Sequence, residues 1–201
     1  MPAKHLLRAT EKDSYCHIYN RGVDGRTIFD QAQDYEVFLS YLQDYLSSPA
    51  DPESAKTTFT VKGKTFRGTP HLPKNYFGRV ELVAYSLSLD HFHLLLHQTV
   101  KGTVENFLRS LSTRYSMYYN KKYHRTGALF QGPYKSIKLD DATRLLHLTR
   151  HLHRETDGVS SYADYLGQRA TNWVKPKAVL SYFDKAEIDS LKGISGYKHF
   201  V

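Results

Sequence analysis

Two apolar runs, Val80 to Leu87 (VELVAYSL) and His91 to His97 (HFHLLLH), are separated only by a short turn at Leu89-Asp90. Runs of this length and polarity with so short a connection predict an antiparallel pair of β-strands, and the rest of the chain has to be arranged around that pair. Upstream, Tyr15 to Tyr19 (YCHIY) is alternating and rich in aromatic and β-branched residues, so it reads as a strand ending in the loop Asn20-Arg21-Gly22. From Asp30, the residues Tyr35, Phe38, Leu39, Leu42, Tyr45 and Leu46 recur at helical spacing until Ser47-Ser48-Pro49 stops the pattern.

Downstream, Thr103 is placed to cap a helix with the apolar stripe Val104, Phe107, Leu108, Leu111, Tyr115 and Tyr118, which fades at Asn120-Lys121-Lys122. Tyr134 to Leu139 alternates as a fourth strand, and Asp140 or Asp141 caps a third helix running to about Glu155. The order β-α-β-β-α-β-α predicts an α+β, ferredoxin-like (RRM-like) fold, an antiparallel sheet with helices on one face plus an extra C-terminal helix. One domain is expected over residues 1–201, with a core at about 14–156 and a tail at 157–201. The Pro-, Gly- and Lys-rich stretch 49–78 reads as an insertion, with a small hairpin around Gly63.

Charge narrows the partner. Lys and Arg outnumber Asp and Glu by 28 to 20, a formal net charge of +8, which points to a polyanion. Cys16 is the only cysteine, which excludes a disulfide framework and a Cys-rich zinc site and fits a reducing cytoplasm. The opening MPAKHLLRAT lacks a signal-like apolar run and no later segment approaches a membrane span, so a cytoplasmic protein with no membrane partner is expected.

On a strand, His91, His93 and His97 share one face and Phe92, Leu94 and Leu96 the other. Two imidazoles at His-x-His spacing can converge on one divalent cation, and the same spacing also suits a plain solvated face. The third helix carries Arg144, His147, His151 and Glu155 beside an apolar stripe, so its edge can bring the Glu155 carboxylate to His91 and His93, a donor set for Mg²⁺ or Mn²⁺. Arg109, Arg114, Lys121, Lys122, Arg125, Lys135 and Lys138 alternate with Tyr115, Tyr118, Tyr119, Tyr123, Phe130 and Tyr134. Cations that follow phosphates and rings that stack on bases suit a single strand of nucleic acid.

The series YCHIYNRGVDGRTIF, LDHFHLLLHQ, FLRSLSTRYSMYYNKKYHRTGALFQGPYKS, LLHLTRHLH and SSYADYLG, spread over most of residues 14–167, resembles the single-tyrosine HUH transposases, and within them the REP-associated tyrosine transposases. The resemblance implies a ferredoxin-like catalytic domain, commonly a homodimer, that binds hairpin-forming single-stranded DNA and cuts and rejoins it with a metal ion. It assigns His91 and His93 to the metal. It also implies a tyrosine on the last helix that attacks the scissile phosphate. Where the family reads RYIHLNP, this chain reads Arg150-His151-Leu152-His153-Arg154-Glu155-Thr156, so His151 stands in place of the tyrosine and Glu155 in place of an Asn or Gln metal ligand. Asp90 likewise stands where the family has Asn.

Three readings follow from that departure: a nearby tyrosine, Tyr119 or Tyr123, attacks instead; His151 attacks directly; or the chain binds DNA and metal without cutting. DNA contacts are expected at Arg21, Arg109, Arg114, Lys121, Lys122, Arg125, Gln131 and Lys135. From other classes, the same fold plan also serves RNA recognition by stacking on the sheet, and a His-rich face can be a structural metal site or polar surface in a protein whose partner is another protein.

Overall fold

The computed structural model describes residues 11–49, 51, 56–68, 74–154, 157–185, 191 and 194–201. The expected central pair is present: β4 (Val80–Leu87) and β5 (His91–Gln98) run antiparallel, with Leu87 opposite Phe92 and Val80 opposite Gln98. The backbone N–H of Ser88 donates to the carbonyl of His91 at 2.9 Å and closes the turn between them. β1 (Ser14–Arg21) pairs with the other side of β5, placing Tyr19 opposite His93, and β6 (Lys135–Leu139) flanks β1. The resulting order β6-β1-β5-β4 is the antiparallel ferredoxin-like one. It is extended by β7 (Val159–Ser160), a strand from the tail that adds to the outer side of β4.

The alternation along β5 divides the molecule into two cores. Phe92, Leu94 and Leu96 point to α1 (Ala32–Leu46) and α2 (Thr103–Lys122), where they meet Phe38, Leu42, Phe107, Leu108 and Tyr115 in one buried cluster. Each such side chain removed from water contributes about 1.5–3 kcal/mol. Asp34 holds the start of α1 by accepting the N–H groups of Asp30 and Gln31 at 3.0 and 2.9 Å. α2 starts differently from the expectation that Thr103 caps it. Gly102, at φ 73°, makes the turn, the Thr103 hydroxyl donates to the Val100 carbonyl at 2.6 Å, and the Gln98 side chain accepts the Val104 N–H at 3.1 Å.

The opposite face carries the extra helix α3 (Ala142–Arg154), started by Asp141, whose Oδ1 accepts the Arg144 N–H at 2.7 Å. Leu145, Leu146 and Leu152 pack there on Leu95, Val83 and Ala84. A register shift between Leu82 and Ala84 in β4 makes this possible, because the bulge turns Val83 and Ala84 together toward α3. The tail completes this second core: α4 (Tyr162–Tyr165), α5 (Lys177–Lys185) and α6 (Tyr197–Phe200) supply Tyr165, Val179, Tyr197 and Phe200. In the insertion, β2 (Thr57–Val61) and β3 (Lys64–Gly68) form the hairpin expected around Gly63. Lys62 and Gly63 both have positive φ, 50° and 75°, as a two-residue turn matched to strand twist requires. Among the described residues no helix is long and apolar enough to cross a membrane.

Candidate metal and nucleic-acid site

Strand alternation turns His91 and His93 away from the α1/α2 core, and both are half-buried beside α3 instead of lying on an open polar face. Their rings sit edge to face with centroids 5.2 Å apart. Each ring has a partner at Nδ1: Asp90 Oδ1 lies 2.5 Å from His91 Nδ1, and His17 Nε2 lies 2.8 Å from His93 Nδ1. With Nδ1–H donating to these partners, both Nε2 atoms keep their lone pairs. That is the arrangement in which an outer hydrogen bond orients a ligating histidine. The donors therefore fit a divalent cation. Among the described residues no group of three or more His, Cys, Asp or Glu side chains is arranged to hold a metal, and Glu155 lies outside those residues.

Burial makes the imidazoles of His93 and His17 weak bases. It pushes His93 down to about 3, with repulsion from His17, His91 and His151 adding to it. Burial, then His151, pushes His17 down to about 4. Both rings are neutral near pH 7, the form a metal ligand needs.

Beside the histidines a cleft of about 250 Å³ is lined by Tyr19, Arg21, Gln131 and Lys135 together with Asp90, His91 and His93. It exists because the loop before β6 docks on the end of β1: the Gln131 N–H donates to the Arg21 carbonyl at 2.8 Å, and Asn20 Nδ2 donates to the Gly132 carbonyl at 3.2 Å. Gly22 N–H donates to the Asp90 carbonyl at 2.7 Å, tying β1 to the β4–β5 turn. A Cβ at Gly22 would lie 2.0 Å from the Arg26 carbonyl oxygen, so the close approach needs glycine. Arg21 Nε donates to Gln131 Oε1, and Lys135 Nζ sits 5.5 Å from the centre of the Tyr19 ring.

His151, on the exposed edge of α3, faces this group with its ring centroid 6.3 Å from that of His93. It lines a recess of about 80 Å³ with Ser86, Ser88, His91 and His93. Of the residues singled out in the sequence, the structure thus brings together Arg21, His91, His93, Gln131, Lys135 and His151.

The others are elsewhere. Tyr119 lies in the α1/α2 core and donates to the Thr27 carbonyl at 3.1 Å. Tyr123 donates to Asp34 at 2.6 Å, and its hydroxyl is pushed up to about 12 by burial and by that carboxylate. Lys122 pairs with the same Asp34 at 2.7 Å, Arg114 with Asp44 at 2.8 Å and Arg109 with Glu105 at 3.1 Å. Arg125 packs over Tyr119, and Lys121 is exposed at the end of α2. Two members of the site were not anticipated, His17 and Tyr19. The signal was in YCHIY, since alternation puts Tyr15, His17 and Tyr19 on one face, and pairing of β1 with β5 makes it the face of His93.

Residues 75–154 match a family model described as IS200-like transposase. The whole structure is similar to a solved REP-associated tyrosine transposase bound to a REP hairpin, with a TM-score of 0.51 and 8% identity over 86% of this chain and 94% of that one, a likeness of fold. A proposed transposase from Deinococcus radiodurans R1 gives a TM-score of 0.41 and 14% identity over 74% of this chain and 95% of that one. No curated protein matches. The matched segment contains β4, the histidine strand, α2, β6 and α3, so the chain is similar to IS200-like transposases over the part that carries the two strand histidines and His151.

Proposed function

We propose that the chain binds hairpin-forming single-stranded DNA along the cleft beside His93. It cuts and rejoins that strand by transesterification, with Mg²⁺ or Mn²⁺ held by His91, His93 and Glu155 and with His151 as the attacking group. The observation that carries this reading is the convergence of His17, His91, His93 and His151 beside the cleft lined by Tyr19 and Lys135. The net charge of +8 and the REP hairpin held by the solved relative support the choice of partner. A cytoplasmic homodimer is part of the same proposal.

In this reading Arg21 and Lys135 meet phosphates and the Tyr19 ring offers a face to a base. Asp90 and His17 hold the two metal-binding rings in one tautomer and orientation. A divalent ion bound there would polarise the scissile phosphate. His151 attacks phosphorus through a lone-pair nitrogen, so that a P–N bond forms and the P–O3′ bond breaks. The departing oxygen becomes a 3′-hydroxyl with the proton released from the other ring nitrogen, and the reverse step with a new 3′-hydroxyl rejoins the strand.

The test is a denaturing gel with labelled hairpin DNA and Mn²⁺, comparing wild type with His93→Ala, His151→Phe, Tyr19→Phe and the pair Tyr119→Phe/Tyr123→Phe. A covalent adduct is expected in wild type and in the tyrosine variants, and is lost in His93→Ala and His151→Phe. An adduct kept in His151→Phe but lost in Tyr19→Phe would move the attack to the tyrosine that lines the cleft. Tight binding with no adduct in any protein would make the chain a DNA-binding member of the family that does not cut.

A further inference from the structure

The β2–β3 ribbon takes no part in either core, and every residue from Thr57 to Arg67 is exposed. A lone two-stranded hairpin gains little stability in water, yet this one displays large apolar side chains: Phe59 is 45% exposed, Val61 51% and Phe66 48%. Pairing puts Phe59 opposite Phe66, their rings stacked at 6.3 Å with an interplanar angle of 29°. Lys62 and Lys64 occupy the tip, Arg67 the other face beside Thr58, and between Thr57 and Gly68 there is no carboxylate.

The contrast with α2 is informative. There Arg109, Arg114 and Lys122 each have an acidic partner, whereas among the described residues Lys62, Lys64 and Arg67 form no ion pair. Cations left without carboxylates, threonine hydroxyls and open aromatic faces on an extended ribbon make a surface complementary to a polyphosphate strand with unstacked bases.

We infer that the β2–β3 ribbon is a second nucleic-acid contact, which grips single-stranded DNA flanking the hairpin through Lys62, Lys64 and Arg67 on phosphates and Phe59 and Phe66 on bases. This rests on the DNA-binding reading of the histidine cleft and extends it to a separate surface. Contacts of this kind read no sequence; they lengthen the footprint and steepen its dependence on salt.

The test is fluorescence anisotropy on the full chain with three labelled probes, a blunt DNA hairpin, the same hairpin carrying a single-stranded DNA tail of about ten nucleotides, and the same hairpin carrying an RNA tail of that length. Titrations are made at about 50 and 200 mM salt. Wild type is expected to bind the DNA-tailed probe about tenfold more tightly, and the triple variant Lys62→Gln/Lys64→Gln/Arg67→Gln to lose that advantage. Its salt slope on the DNA-tailed probe should be shallower by about 2, from three phosphate contacts at roughly 0.7 each. Binding of the blunt hairpin and the thermal midpoint should not change, because the ribbon lies outside both cores. The double variant Phe59→Ser/Phe66→Ser should lose affinity for the tail and keep the salt slope. An unchanged affinity and slope in the triple variant overturns the inference, as does an equal loss on the blunt hairpin, which would assign the ribbon to duplex, or a preference of the ribbon for an RNA tail over the DNA tail. Failure of wild type to bind any probe would instead overturn the reading of the histidine cleft.

Discussion

Acidification from pH 7.5 to 5 should destabilise this protein by about 6 kcal/mol, and buried histidines are the reason. His153 is shut into the second core, with Nδ1 2.7 Å from the Tyr197 hydroxyl and Nε2 2.8 Å from the Ser161 hydroxyl. Ser161 in turn donates to the Tyr85 carbonyl and accepts the Tyr85 N–H, so the neutral ring is fully satisfied and a proton has no place. Burial pushes His153 down to about 3, His93 to about 3 and His17 to about 4. A histidine with a depressed folded value stabilises the protein above its unfolded value near 6.5 and loses that contribution as pH falls toward the folded value. At pH 5, about 1.5 units below the unfolded value, the loss is about 2 kcal/mol for each independent site. His17, His93 and His153 are all unprotonated in the folded protein at pH 5, so the total is about 6 kcal/mol. For a chain of this size that lowers the thermal midpoint by roughly 12 to 24 °C. Calorimetry from pH 7.5 to 5 reads it directly. The variant His153→Gln should be less stable at pH 7.5 but should lose only about two thirds as much on acidification. A flat midpoint, or a drop that His153→Gln leaves whole, would refute the reasoning.

Asp34 is fully buried and accepts Tyr118, Lys122 and Tyr123 besides two backbone N–H groups. Asp34→Ala should therefore cost about 3–5 kcal/mol in urea denaturation. Lys135→Gln should weaken binding of hairpin DNA across sequences and make the salt slope shallower by about 1, read by anisotropy, without changing stability. His151→Tyr, at an exposed position on α3, should change stability by no more than about 0.5 kcal/mol. It should also raise the yield of covalent DNA adduct on a denaturing gel.

The fold was legible because its strongest signals are local. Val80–Leu87 and His91–Gln98 are apolar runs with no competing helical period, and the stripes of α1 and α2 are long enough to be read directly. The tail was not legible for the opposite reason. β7 is only Val159–Ser160, and α4 and α6 have four residues each, so their placement depends on a second core that exists only once α3 has covered the sheet. The roles of Tyr119, Tyr123 and Lys122 also depend on packing, because the group that engages two of them, Asp34, is some 90 residues away in the chain and reads locally as a helix-start residue. Strand pairing, which sequence alone specifies only through alternation, is what brought His17 and Tyr19 beside His93.

The two halves of the site have different structural supports. His91 and His93 are fixed by the register of β5 between β1 and β4 and by Asp90 and His17 at their Nδ1 atoms. His17, His91 and His93 lie in the sheet and Asp90 in the β4–β5 turn, so these groups are held by the ladder that also organises both cores. Position 151 lies on the exposed edge of α3, whose hold on the sheet comes from Leu145, Leu146 and Leu152. A residue there can change without cost to the fold. In the proposed reading the two strand histidines are therefore tied to stability, while position 151 is free to vary with function.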